Sequence, residues 1–210
     1  MTPYLRAAGA GLSELAIRAP LVIGAEALPA LVVGDAYAPI WLALPAPDAL
    51  DAATLAAAPI IAGVVLDAAS SRADVEHLSA RLAVAEALAD RPDGALRVVA
   101  RIATAKGALG LAGLGAGHPR LAAIGWDADA LAVDLGAAAP RGPGGALIAP
   151  LAMVRSAVVV AAAAAGVAAI DSAFAGDGDA FVRDAEAART DGFSAKFALT
   201  AAQAAALGAQ

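Results

Sequence analysis

Residues 60–102, IIAGVVLDAASSRADVEHLSARLAVAEALADRPDGALRVVARI, hold two short β-branched runs separated by one long stretch of helical pattern. Ile60–Leu66 reads as a buried strand. Ser70–Asp90 reads as a helix opened by Ser70 or Ser71, with Val75, Leu78 and Leu82 at helical spacing. Arg97–Ile102 reads as the next strand. A strand, a helix and a second apolar strand in this order predict parallel strands joined by a helical crossover.

The same alternation continues toward the C-terminus. Lys106–Gly115 is predicted as a weak helix, because each glycine costs about 1 kcal/mol relative to alanine. A strand at Leu121–Trp126 follows, then a short helix over Ala128–Leu135. Residues 137–149 concentrate Gly and Pro and predict a mobile loop. Pro150 opens a helix to Ala165, ended by Gly166. Val167–Asp171 reads as a strand, Ala180–Thr190 as a helix and Phe193–Leu199 as a last strand. In the first 50 residues, Leu21–Ile23, Ala30–Val33 and Ile40–Leu44 look like strands separated by gaps too short for a parallel crossover, which needs about ten to twelve residues. These strands either pair antiparallel or belong to a trimmed barrel. At 210 residues the chain predicts a single domain, 1–210, shorter than the roughly 250 residues typical of an eight-fold β/α barrel.

Composition narrows the function classes. The net charge is −6, the only lysines are Lys106 and Lys196, and the arginines are scattered, so a nucleic-acid surface is not expected. The absence of cysteine excludes a thiolate nucleophile, a disulfide framework and a Cys-based metal site, and fits a cytoplasmic address. The longest apolar run, Ala157 to Ile170, is too short to span a bilayer, and the N-terminus lacks the pattern of a signal peptide.

The strings GVVLDAASSRADV (63–75), RVVARIATAKGALG (97–110), RLAAIGWDADALAVDLG (120–136) and LAMVRSAVVVAAAAAGVAAIDSAFAGDGDAFVRDAEAARTDGFSAKFALTAAQ (151–203) resemble the citrate lyase beta-subunit (CitE-like) branch of the HpcH/HpaI aldolase family. The likeness is best over residues 59–203, with a fainter echo at ALVVGDAYAP (30–39). It implies an α/β fold of the TIM (β/α)₈ type, trimmed or rebuilt over a shortened N-terminal part, 1–50. It also implies magnesium-dependent cleavage or formation of a carbon–carbon bond next to a CoA thioester, as in citryl-CoA or malyl-CoA.

That chemistry needs carboxylates to hold the cation and a cationic side chain to pair with a substrate carboxylate. The resemblance places the metal-binding glutamate of an Ile-Glu-Thr string at Ile102-Ala103-Thr104, where the residue is Ala103. A second metal carboxylate before a leucine falls on Ala130, with Asp129 one position early. The arginine of a Val-Arg-Val-Asn string falls on Ala43, and the histidine of an Ile-His-Pro string on Thr200. A Pro-Lys-Val-Glu string is replaced by Asp67-Ala68-Ala69-Ser70. Framework residues persist, among them Gly63, Asp74, Arg155, Asp171, Gly192, Lys196 and Gln203.

Three readings follow from these replacements. The leading one is a non-catalytic subunit without a magnesium cofactor, assembled with itself or with a catalytic paralogue. An alternative is a carbon–carbon lyase or thioester hydrolase with a relocated metal site using Asp127, Asp129 or Asp67. The third is a module that binds acyl-CoA or a small acid without turnover. Asp35, Asp67, Asp127 and Asp171 each follow a predicted strand at the rim where barrels place catalytic groups, although an Asp there also caps turns and helices. Lys196 is a Schiff-base candidate or a structural ion pair. His77 is expected in water and His118 in a turn. Trp126 either packs across the barrel mouth or belongs to the core.

Overall fold

Near-continuous burial along the strand Ile61–Leu66 fits its β-branched residues, which favour the pleat and pack well on two faces. The computed structural model describes residues 1–6, 20–25, 39–51 and 60–208. Its strands are β1 Thr2–Arg6, β2 Leu21–Gly24, β3 Ile40–Leu44, β4 Ile61–Leu66, β5 Arg97–Ile102, β6 Leu121–Trp126, β7 Ala168–Asp171 and β8 Ala195–Ala198. Each pairs parallel to the next, and β8 pairs parallel to β1, so the sheet closes into an eight-stranded barrel.

The described helices are α1 Arg72–Leu88, α2 Ala105–Leu114, α3 Ala128–Asp134, α4 Ala149–Ala165, α5 Gly178–Thr190 and α6 Ala201–Gly208, with a 3-10 turn at Pro47–Ala49. Helix α1 starts in a capping box: Asp74 accepts the Ser70 and Ser71 N–H groups, and Ser71 is the N-cap. Pro150 sits in the first turn of α4, and Gly166 ends that helix in the left-handed conformation at φ 67°. Glycines in α2 serve close packing. A Cβ at Gly107 would meet the Ala69 carbonyl oxygen, and one at Gly110 the Ser70 carbonyl oxygen.

Two apolar clusters divide the molecule. One fills the barrel with Val22, Trp41, Val65, Val99, Ala123, Ile170, Ala195 and Phe197, against which Tyr4 packs. Tyr4 meets Trp41 and Phe197 edge-on at 5.8 and 6.1 Å. The second, larger cluster joins the outer strand faces to the helices, with Val64, Leu66, Val98, Ile102 and Ile124 against Leu78, Leu82, Val158 and Phe181.

The closed sheet bears out the expected TIM (β/α)₈ type and decides how the N-terminal strands pair. The strands of the N-terminal part pair parallel, not antiparallel, because β2 and β3 are separated by residues 25–39, long enough for a crossover. The predicted strand Ala30–Val33 lies outside the described residues, as do the segments where shortened first helices were expected. β1 carries little sequence signal, since only Tyr4 and Leu5 of Thr2–Arg6 are large and apolar. Helix α6 escapes a periodicity reading because alanine fills both of its faces. It is capped by Thr200, whose hydroxyl accepts the Gln203 N–H, and Gln203 accepts the Leu199 N–H in return. The predicted mobile loop at 137–149 is a small closed turn: Arg141 bridges Leu147, and Gly142 donates to the Ala146 carbonyl. Among the described residues, no helix is long and apolar enough to cross a membrane.

A candidate site of arginines and aspartates at the barrel mouth

Side chains alternate across a strand, so residue 101 shares the inward face of β5 with Val99. The residue there is Arg101, with only 8% of its side chain exposed. It can occupy the barrel because its register neighbour on β6 is Gly125, where a Cβ would press on Phe197 at 3.0 Å. The guanidinium also lies over the Phe197 ring, 5.8 Å from its centroid.

Two carboxylates hold this cation. Arg101 donates through Nη1 to Asp127 Oδ2 at 2.7 Å, just past β6. Its Nε faces Asp67 Oδ1 at 3.0 Å, just past β4, as an ion pair without hydrogen-bond alignment. A second guanidinium, Arg6 at the end of β1, stands 3.8 Å from Asp67 Oδ2 and 3.8 Å from Asp127 Oδ2. Burial lowers the pKa of Arg101 and Arg6 adds to that, while Asp67 and Asp127 oppose both; guanidinium basicity keeps the group charged. The four charges balance.

The magnesium implied by the resemblance would need open carboxylate oxygens at this rim. Asp127 Oδ1 accepts the Ala130 N–H at 3.0 Å and caps α3, while its Oδ2 binds Arg101. Asp67 turns one oxygen to Arg101 and the other to Arg6. Beside them, Ala103 is buried and contributes no ligand, Ala43 lines the barrel interior, and Thr200 caps a helix. The described residues at this rim do not fit a divalent ion. Among the described residues, no group of three or more His, Cys, Asp or Glu side chains could hold one.

Asp129 does not join Asp67 and Asp127 in contact with Arg101; it sits in the first turn of α3. Its pKa is raised, first by partial burial and then by the Asp127 charge. Asp35 lies outside the described residues. Asp171, expected at the rim, is on the outward face of β7 behind the barrel wall. There it accepts Lys196 Nζ at 2.7 Å, Trp126 Nε1 at 2.9 Å and Arg155 Nε at 3.2 Å. Lys196 also meets Asp184 of α5 at 2.8 Å and donates to the Ser172 carbonyl. Lys196 is therefore a structural cation facing the helices, and Trp126 packs outside the barrel instead of across its mouth. Of the histidines, His77 is half exposed and pairs with Asp48 at 3.3 Å, and His118 Nδ1 accepts the Arg120 N–H in a turn.

Sequence reading missed Arg6 and Arg101. The available signal was an arginine two residues from Val99 inside an otherwise apolar strand, a position that burial makes expensive unless it is paired.

No family model matches this chain, and no curated protein does. Solved structures match over nearly its full length. RipC from Yersinia pestis is 23% identical with a TM-score of 0.73, over 99% of this chain and 93% of that one. The citrate lyase beta subunit from Mycobacterium tuberculosis, complexed with oxaloacetate and magnesium, is 22% identical with a TM-score of 0.71, over 98% and 94%. A malate synthase from Haloferax volcanii, as a lead(II) complex, is 17% identical with a TM-score of 0.77, over 98% and 71%. At these identities the likeness shows a shared (β/α)₈ fold, and the citrate lyase beta subunit is the branch that the sequence strings resemble.

Proposed function

We propose that this chain is a barrel of the citrate lyase beta-subunit type that has lost magnesium-dependent carbon–carbon cleavage and serves as a non-catalytic subunit. The observation that carries this reading is the commitment of Asp67 and Asp127 to arginine and to a helix N-terminus, with alanine at positions 43, 103 and 130. A cation that must hold a 2-oxo acid and its enolate has no ligand set among the described residues. The relocated-site alternative draws support from one fact: Asp67 and Asp127 do converge on one rim. The guanidinium between them weighs against it.

The subunit role rests on surface chemistry. Leu109 of α2 is 87% exposed, Val133 of α3 80%, and Val160 and Met153 of α4 68% and 67%. Apolar side chains in water favour assembly, either with a second copy or with a catalytic paralogue. The closed barrel removes the other motive, since no open sheet edge needs cover. The cysteine-free composition suits a reducing compartment such as the cytoplasm. Retained affinity for an acyl-CoA would be compatible with this role and is read by thermal shift.

The test is direct. Purified protein incubated with citryl-CoA or malyl-CoA should release no acetyl-CoA above the blank, with or without Mg²⁺. Release that depends on Mg²⁺ would overturn the reading.

A further inference from the structure

We propose that Arg101 is the resident cation of the barrel mouth: its guanidinium occupies the space between Asp67 and Asp127 and thereby excludes a divalent ion from a pair of carboxylates that could otherwise bind one. The proposal deepens the reading above and rests on it for where an ion would sit, but it concerns binding and not turnover.

The geometry supports it in three ways. First, Arg101 uses two different nitrogens on two different carboxylates, at 3.0 and 2.7 Å, so the planar group bridges them. Second, its stem is enclosed, with Phe197 beside the guanidinium, so it cannot swing out to vacate the place at low cost. Third, the charges of these four described groups are matched. Arg6 and Arg101 together cancel Asp67 and Asp127, so an arriving divalent ion would meet two guanidinium groups and carboxylate oxygens already in use. Removing Arg101 leaves a net charge of −1 at the cluster, and removing Arg6 as well leaves −2. Divalent-ion affinity should rise in that order, as ligand charge accumulates.

The experiment titrates Mn²⁺ into the full-length protein and reads water-proton relaxation and thermal shift. Wild type should show no site dependent on Asp127. Arg101→Met should bind Mn²⁺ at least about tenfold more tightly than wild type, and Arg6→Met with Arg101→Met more tightly again. At about ten times the dissociation constant, the ion should raise the Tm of the variant by about 3–5 °C. A wild-type Mn²⁺ site that Asp127→Asn abolishes would overturn the proposal, and so would a folded Arg101→Met that binds no better than wild type. If Arg101→Met does not fold, the wild-type Arg101 Nε–H resonance, assigned through its proximity to Phe197, gives the answer. It should stay unmoved by millimolar Mg²⁺; a shift on adding Mg²⁺ would overturn the proposal. Lyase activity without Mn²⁺ binding would sink the non-catalytic reading and leave this one standing.

Discussion

Two ionic clusters lie on opposite faces of the barrel wall and do different things. At the mouth, Arg6 and Arg101 meet Asp67 and Asp127 on the inner face, where both carboxylates still reach water. Behind the wall, Lys196, Arg155 and Trp126 meet Asp171 in a region sealed by α4 and α5. Trp126 on β6 donates to Asp171 on β7, Asp171 is the register partner of Lys196 on β8, and all three point outward. Asp127 is one residue past Trp126 and points inward. Because the side-chain period of a strand is two, a single position decides whether an aspartate belongs to the mouth or to the scaffold.

The largest expected effect lies behind the wall. Lys196→Met takes the buried cation from between Asp171 and Asp184, leaving them Arg155 and Arg141 alone, and should cost about 3 kcal/mol in chemical denaturation. Arg101→Met should cost less, about 1–3 kcal/mol, since Asp67 and Asp127 are 24% and 18% exposed and water takes over part of the lost pairing. Equal losses from the two substitutions would break the contrast between a sealed cluster and an open one.

Acid sharpens the same contrast. Burial alone would raise the pKa of Asp171, but Lys196 and Arg155 outweigh it and hold the carboxyl below its usual range. The Glu86 carboxyl behaves alike at the other end of the barrel. Burial is outweighed there by Arg120 and the Leu96 and Gly94 N–H groups. A depressed folded pKa means that the unfolded chain binds more protons. The stabilisation is therefore complete above the unfolded carboxylate pKa of about 4 and disappears as pH falls through the lower folded value. Urea midpoints measured against pH should fall in that window for wild type. In Lys196→Met the Asp171 share of the fall should shrink, because one of its two cations is gone while Arg155 remains.

The smallest effect belongs to Asp129. Its raised pKa means that ionisation is disfavoured in the folded state, so Asp129→Asn should stabilise slightly at neutral pH, by no more than about 0.5 kcal/mol for an exposed position. A loss of more than about 1 kcal/mol would show that Asp129 takes part in the mouth cluster after all.

From β4 to β8 the elements were legible residue by residue. Arg97–Ile102 and Leu121–Trp126 match their predicted spans, and the ends of α1 and α4 differ by one or two residues. Local signals are strong there: β-branched runs, a serine cap, a proline at a first turn and a glycine at a last one. β1 and α6 were not legible. One has two large apolar residues, the other is nearly uniform alanine, and both take their structure from neighbours they pack against. Of the site, Asp67 and Asp127 were named from sequence, whereas Lys196 and Trp126 were considered for a mouth that they do not face.

Composition and periodicity alone settled the α/β alternation, and alanine at positions 43, 103 and 130, where the resemblance led one to expect ligands, was readable as letters. Closure of the sheet, and the meeting of Arg6 and Arg101 with two aspartates, were decided only by the tertiary structure. The physical reason is distance along the chain: residues 6, 67, 101 and 127 share no local pattern, and nothing short of a closed barrel brings the ends of β1, β4, β5 and β6 to one rim.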